Sequence, residues 1–382
     1  MKIVTWLSVL TEHQVHTFRH LGELHDEPSE YVLCFRSIEE RKGQGWTEID
    51  LAGPYIHELP KKGWWSFGKK IITQFPEAVH IFNGMWGDRR LLAMLLYAQW
   101  HGVRTCLITE PYADITISYF SKKSGLLDRI KFAIRPLVYK VAGALLARRM
   151  TAVFAISAKA AKQFQAIGFS QDKVFPFGYF VPAMADHSNY AWAKGTTGRL
   201  RLVFVGNLIE RKGLSTLVEA VKLCNLSSCQ VSLDVYGPGD SGGIHAPESC
   251  IFFHGSIAFG KVQLVIRQYD VLVVPSIHDG WAVVVNEALL QSVPVICSDA
   301  VGAKVLVQKS GAGSIFPASD SMALASLLTE LLRNPDRLVD WRSKAAGLGD
   351  WLSPAVAARY QMDCLKFSLG QSRIRPSAPW YT

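Results

Sequence analysis

At 382 residues, 49% of them hydrophobic and 19% charged, the chain is too long for one ordinary domain and apolar enough for two cores. Disordered and fibrous classes are excluded on the same grounds. The net charge of +9 favours anionic partners, but no nucleic-acid reading motif accompanies it, so nucleic acid is not expected.

The opening "MKIVTWLSVLTEHQ" has an apolar stretch of only about eight residues and no small-residue cleavage site. It reads as a first buried strand rather than a signal peptide. "EYVLCF", "AVHIFN", "RTCLIT" and "AVFAIS" continue the strands of the first half. "RLVFVG", "VSLDVYG", "CIFFHG", "DVLVVPS", "PVICSD" and "GSIFP" are those of the second. Helical patterns such as "LSTLVEAVKLC", "KVQLVIRQY" and "SMALASLLTELLRN" lie between them. Strands of continuous apolar character separated by helices predict parallel sheets covered on both faces. The fold class is therefore α/β, with two doubly wound Rossmann-like domains at 1–185 and 199–355. The polar stretch 184–198 is the expected linker. Residues 356–382 form a tail able to pack back on the first domain, its proline-rich end, 370–382, packing loosely. No run reaches the roughly 18 to 20 apolar residues needed to span a bilayer. The seven cysteines are odd in number and show neither CxxC spacing nor a zinc pattern, which predicts reduced thiols in a cytoplasmic protein.

Positive charge is clustered. Between 119 and 150 stand Lys122, Lys123, Arg129, Lys131, Arg135, Lys140, Arg148 and Arg149, against one acid, Asp128. At 61–70, "KKGWWSFGKK" flanks two tryptophans with lysine pairs. Cations interleaved with aromatic and aliphatic residues suit an anionic membrane surface. They equally suit a solvated helix face with ordinary surface tryptophans.

In open parallel sheets, ligands bind at the carboxyl ends of the strands. After "LVFVG", Gly206 lets the chain turn close to a ligand, and Arg211 and Lys212 bring charge for a phosphate. Gly237 and Gly239 clear side chains from the next strand end. In "PSIHDGWAVVVNEALLQSVPVI", Asp279 and Gly280 fall in a loop, a helix begins near Trp281 or Ala282, and Glu287 occupies its second turn. The amides from Gly280 to Val284 then offer an anion site. A diphosphate there leaves Asp279 near one end and Glu287 near a ribose at the other, since a carboxylate accepting two vicinal hydroxyls is a common ribose grip. Gly280 leaves room for the sugar and its phosphates. Either acid alone reads as a turn or capping residue; position and spacing together favour the ligand.

This pattern resembles the "PS…EGFG…EA…G.PVI" of GT-B glycosyltransferases of the retaining family 4 type, from Pro275 to Ile296. "VGNLIERKG" resembles the family's "VGR…KG", "VYGPGD" its "G.G" strand end and "FHGSI" its "..G.v" loop. In the first half "AVFAISAKAAKQFQAIGFSQDKVFPFGYFVP" is similar to "vi..S…..l…G….k…ipnGv". The resemblance implies two Rossmann-like domains facing across a cleft, the first for the acceptor and the second for a nucleotide-diphosphate sugar. It implies that Glu287 holds the ribose and Lys212 neutralises the diphosphate. The amides of Trp281, Ala282, Val283 and Val284 bind phosphate and sugar oxygens, Asp279 approaches the transferred sugar, and the base rests near Gly255, Ser256 and Ile257.

The chain departs from the family at four places. Asp279 replaces the usual first Glu. Asn207 replaces the Arg of "VGR", with Arg211 a substitute. "LTEHQVHTFRHLG", with His13 and Gln14, stands where a glycine pair is usual. Glu110 of "TEPY" takes the place of a histidine, where it can bind a sugar hydroxyl or deprotonate the acceptor. His13, Gln14, Asn83 and Trp86 are acceptor-side candidates; Asp279, Lys212 and Glu110 are the catalytic ones. No DxD motif is present, and a lysine with helix amides can do a metal's electrostatic work, so no metal or other cofactor is expected. The expected activity is retaining transfer to a glycan or lipid-linked saccharide in cell-surface polysaccharide biosynthesis, at the inner face of the cytoplasmic membrane. A nucleotide-sugar epimerase of the same fold and a catalytically degenerate binding protein are the alternatives. A dinucleotide dehydrogenase is not, since no GxGxxG follows either first strand.

Overall fold

The computed structural model describes residues 1–24, 27–35, 55–84, 88–112, 126–184, 199–226, 229–240, 250–258 and 260–381. Trp86, Lys122, Lys123 and the expected linker beyond Met184 lie outside them. Two sheets are present, and every pairing between neighbouring strands is parallel.

The first sheet holds β1 (Ile3–Leu7), β2 (Glu30–Leu33), β3 (Ile56–Glu58), β4 (Val79–Asn83), β5 (Arg104–Thr109), β6 (Met150–Ile156) and β7 (Val174–Phe177), in the order β3-β2-β1-β4-β5-β6-β7. All five residues of β1 are buried, as a strand covered on both faces requires. The side-chain alternation divides them between two layers. Ile3 and Leu7 join Val15, Phe18 and Leu21 of α1 (Glu12–Glu23). Val4 and Trp6 face the other way, toward α2 (Trp64–Gln74), α3 (Arg89–Trp100), α4 (Leu126–Leu146) and α5 (Ser157–Ala166). There Trp6 stacks on Phe82, and its indole N–H donates to His80 Nδ1 at 3.0 Å. Burial pushes His80 down to about 4, so it stays neutral and keeps accepting that bond.

The second half runs β8 (Leu200–Val205), α6 (Leu214–Cys224), β9 (Val231–Tyr236), β10 (Ile251–Gly255), α7 (Val262–Ile266), β11 (Val271–Val274), α8 (Val284–Leu290), β12 (Val295–Ser298), α9 (Lys304–Ser310) and β13 (Gly313–Phe316). Its sheet order is β10-β9-β8-β11-β12-β13. α10 (Ser321–Arg333), capped by the Asp320 carboxylate, and α11 (Pro335–Ala345) follow. α12 (Gly349–Leu352) then leads to α13 (Pro354–Ser368), whose Ser353 cap and Pro354 fix its start. α13 packs on α1 and β6 of the first half.

Each strand order reverses once, between β1 and β4 and between β8 and β11. The loops after such a pair diverge and open a crevice at the strand ends. His13 and Asn83 follow or end the first pair, and Lys212 and Asp279 follow the second.

Two expectations are corrected. Cys229 and Cys250 form a disulfide rather than staying reduced. They precede neighbouring parallel strands, β9 and β10, and so come together at the end of the sheet opposite the crevice. The tail does not pack loosely. Trp380 is fully buried, its ring 4.4 Å from Phe180, 5.2 Å from Tyr360 and 5.9 Å from Phe177 between centroids. The Arg375 guanidinium donates to the carbonyls of Gln171 and Val174.

Candidate active site at the strand ends

The predicted glycines of the second half stand side by side at three strand ends. The Gly206 N–H donates to the Tyr236 carbonyl at 2.9 Å, and the Gly237 N–H to the Gly255 carbonyl at 2.8 Å. Gly237 has φ +151°, and a Cβ there would lie 1.8 Å from the Gly206 oxygen. Gly213, with φ +67°, is pressed as closely on the Pro275 carbonyl, 2.0 Å from where a Cβ would be. That approach seats the turn Glu210–Lys212 over the β11 loop. Lys212 Nζ donates to Asp279 Oδ2 at 2.6 Å, with both side chains mostly buried. Burial opposes the charge of Asp279, but Lys212, then Arg211, and the Trp281 N–H outweigh it and hold the carboxyl below the usual range. Arg211 braces the same loop, donating to the His278 carbonyl at 3.2 Å and accepting from the Ile277 N–H at 2.8 Å. Asn207 is half-buried, Ser256 is exposed and Ile257 half-buried on the same rim.

The helix after Asp279 starts later than expected. It begins at Val284, because Ala282 takes a left-handed φ of +70° and Trp281 is drawn inward. The Trp281 indole donates to Asn286 Oδ1 at 2.9 Å, and its ring fills the space beside Gly178, where a Cβ would come within 2.3 Å. Trp281 therefore belongs to the packing between the halves, and its N–H is already bound to Asp279. The amides of Ala282, Val283 and Val284 precede the first turn's bond from the Val285 N–H to the Ala282 carbonyl. Glu287 lies in that turn, half-buried; its N–H donates to the Val283 carbonyl at 3.2 Å, and its carboxylate makes no hydrogen bond or ion pair among the described residues. Burial alone pushes its carboxyl up to about 7.

The first half closes the site from the other side. Glu110 follows β5, and Tyr179 Oη donates to its Oε1 at 3.0 Å. A Cβ on Gly280 would stand 2.6 Å from Glu110 Oε2, so the space left by that glycine is taken by Glu110, not kept for a sugar. The surrounding protein raises the Glu110 carboxyl above its usual range. The Tyr179 bond opposes this, Asp279 adds to it, and Arg211 and Lys212 pull the other way. His13 packs edge-on against Tyr179, ring centroids 4.5 Å apart, and shares a 3.1 Å hydrogen bond with Thr11 Oγ1. A continuous set of contacts thus runs from His13 through Tyr179, Glu110 and Gly280 to Asp279 and Lys212.

Residues 199–334 match the family of glycosyl transferases group 1. This stretch is a glycosyl transferases group 1 domain. It contains Gly206, Lys212, Gly237, Asp279 and Glu287, whereas His13, Glu110 and Tyr179 lie outside it. Phosphatidyl-myo-inositol mannosyltransferase of Mycobacterium leprae is 30% identical to the chain over 161 residues, 39% of this chain and 42% of the relative. Amylovoran biosynthesis glycosyltransferase AmsK of Erwinia amylovora is 25% identical over 148 residues, 35% of this chain and 36% of the relative. The chain therefore matches less than half the length of these relatives. The crystal structure of Anabaena Alr3699/HepE in complex with UDP matches with a TM-score of 0.71 at 15% identity, covering 97% of this chain and all of that one. The fold is accordingly that of GT-B glycosyltransferases.

Around the group 1 domain the remaining candidates separate. Asn83 is half-buried at the end of β4, paired in register with Ile108 two residues before Glu110. Gln14 is buried and spends its amide oxygen on the Thr11 hydroxyl at 2.8 Å, which ties it into the first turn of α1. No group of three or more His, Cys, Asp or Glu side chains is placed to hold a metal ion among the described residues. Tyr179 is the residue that sequence reasoning missed. It follows β7, and Pro176 within that strand hides it, so the strand-end rule had no strand end there to apply to.

Proposed function

We propose that the chain is a retaining glycosyltransferase that moves a sugar from a nucleotide-diphosphate sugar to a glycan or lipid-linked saccharide. Residues 199–355 would hold the donor and 1–185 the acceptor, at the cytoplasmic face of a membrane, in cell-surface polysaccharide biosynthesis. The observation that carries the reading is Glu287: a half-buried carboxylate without a side-chain partner among the described residues, in the first turn of the helix that follows the Lys212–Asp279 pair, at a strand-order reversal of a group 1 domain.

In this reading two ribose hydroxyls donate to Glu287 and supply the partners its burial lacks. Lys212 and the amides of Ala282 to Val284 meet the diphosphate. As the anomeric C–O bond to phosphate breaks, charge gathers on the β-phosphate, and Lys212 stabilises it better than it does the ground state. Asp279 competes for the same ammonium, so Lys212 shares itself between carboxylate and phosphate. The acceptor oxygen forms the new bond on the face the phosphate leaves, and its proton passes to Glu110 or to the departing phosphate. Lys212 and the amides supply this electrostatic work without a metal, and undiminished turnover in EDTA is the expected result.

UDP, the nucleotide named with the Anabaena structure, heads a melting panel of UDP-, GDP- and ADP-sugars. One nucleotide is expected to raise the melting temperature of the wild type and not that of Glu287→Ala. No shift with any of them, or an equal shift in the variant, overturns the assignment.

A further inference from the structure

Four helices cover the same side of the seven-stranded sheet: α2, α3, α4 and α5. Their charge is one-sided. In sequence, α2, α3 and α5 carry two lysines or arginines each and α4 carries four, against a single acid, Asp128; of these cations Arg90 is mostly buried and paired with Asp88, the cap of α3. Arg148 and Arg149 follow α4 directly. The same layer exposes large apolar side chains. Along α4, Ile130, Ile134, Leu137, Val141 and Leu145 recur every three or four residues and so share one side of the helix. All five are exposed, Leu137 at 64% and Leu145 at 67%, while Ala142 and Leu146 of the opposite side are buried against the sheet. α3 joins α4 where the Gln99 amide donates to the Leu146 carbonyl, and the neighbouring Trp100 stands 78% exposed. On α2, Trp65 packs against Tyr97 of α3, with the Lys69 ammonium over both rings.

Single exposed apolar residues are ordinary; a stripe along a whole helix, bordered by cations, is not. We propose that this layer docks on an anionic lipid bilayer, with α4 lying in the headgroup region and Trp100 beside it. The charge selects the partner. A second copy of the chain meeting this face would set cations against cations, and protein interfaces are depleted of lysine at their centres. An anionic bilayer instead neutralises the cations while the leucines and isoleucines enter the acyl boundary. The surface is made of helix faces rather than strand ends, and the inference does not depend on glycosyl transfer.

The test is sedimentation of the full chain with phosphatidylglycerol-containing vesicles and with phosphatidylcholine vesicles, no substrate being present. Binding to the anionic vesicles alone is expected, and weakening as salt rises from about 0.1 to 1 M and the screening length falls from about 10 to 3 Å. The double variant Leu137→Glu, Leu145→Glu should lose at least about tenfold in vesicle affinity, with its melting temperature unchanged because both positions are exposed. Three results would overturn the proposal: wild type left in the supernatant, equal binding to both vesicle types, or a variant that binds like wild type. Light scattering that finds a dimer converted to monomer by the double variant overturns it as well, in favour of a second copy.

Discussion

Replacing Glu287 by glutamine removes a charge that the folded protein holds at a disadvantage. Its carboxyl is raised from 4.5 to about 7 by burial alone. A raised carboxyl means that the folded state binds the proton more tightly than the unfolded one. Below about pH 4.5 both states are protonated and wild type and variant should be equally stable. As pH rises from 4.5 to 7 the wild type loses ground, and above 7 the deficit levels at about 3 kcal/mol, using 1.36 kcal/mol per unit. For a domain the size of the second half this corresponds to a melting temperature about 6 °C or more higher for Glu287→Gln at pH 8. Thermal denaturation of both proteins at pH 4.5 and pH 8, with and without UDP, measures it. Ribose hydroxyls that bond Glu287 should also make UDP stabilise the wild type more at pH 8 than at pH 4.5, and stabilise the variant little at either. A difference between the proteins that does not change with pH would refute burial as the cause. An undiminished UDP effect in Glu287→Gln would remove the ribose role.

Tyr179→Phe deletes a bond that lowers the Glu110 carboxyl, so the acidic limb of the pH–rate profile should move to higher pH while nucleotide-induced stabilisation is kept; an unmoved limb excludes Glu110 as the titrating group. Lys212→Met leaves Asp279 buried without its cation, a loss of about 3 kcal/mol at pH 7. Asp279 is held low in the wild type, so the stability it brings is fully present above its unfolded value of 3.8 and is lost as pH falls below that, through its lowered folded value. The gap between wild type and Lys212→Met should therefore hold near neutral pH and narrow as pH falls below 3.8 in urea titrations, and a gap that stays constant argues that the pair contributes packing rather than charge.

Most of the fold was legible because its strands are continuous apolar runs between helices, and β5 and α6 begin and end where their patterns do. β3 and β7 were not. β3 is three residues long and includes His57 and Glu58; β7 contains Pro176, which only an edge strand tolerates, and β7 is an edge. The positions of Lys212 and Asp279 in the loops after β8 and β11 were readable from spacing, and that of Glu287 on the helix that follows. The start of α8 was not readable, because Ala282 and Trp281 adopt conformations set by contacts with Asp279, Asn286 and Gly178. Nor was the meeting of Glu110 with Gly280, which depends on how two sheets face each other and leaves no periodicity in the chain. The same limit applied to Cys229 and Cys250, joined through the register of neighbouring strands rather than by a motif.

The Glu110 carboxylate occupies the volume that a side chain at position 280 would need, and Phe180 lies between Trp281 and the terminal Trp380. The two halves are therefore not interchangeable parts. A hybrid that brings in another group 1 domain with a larger residue at position 280 would push Glu110 off its tyrosine. One that drops the last three residues would take Trp380 from the aromatic stack behind Trp281. A swap of the group 1 domain in this protein has to carry position 110, position 280 and Trp380 together, as one unit that no single domain boundary encloses.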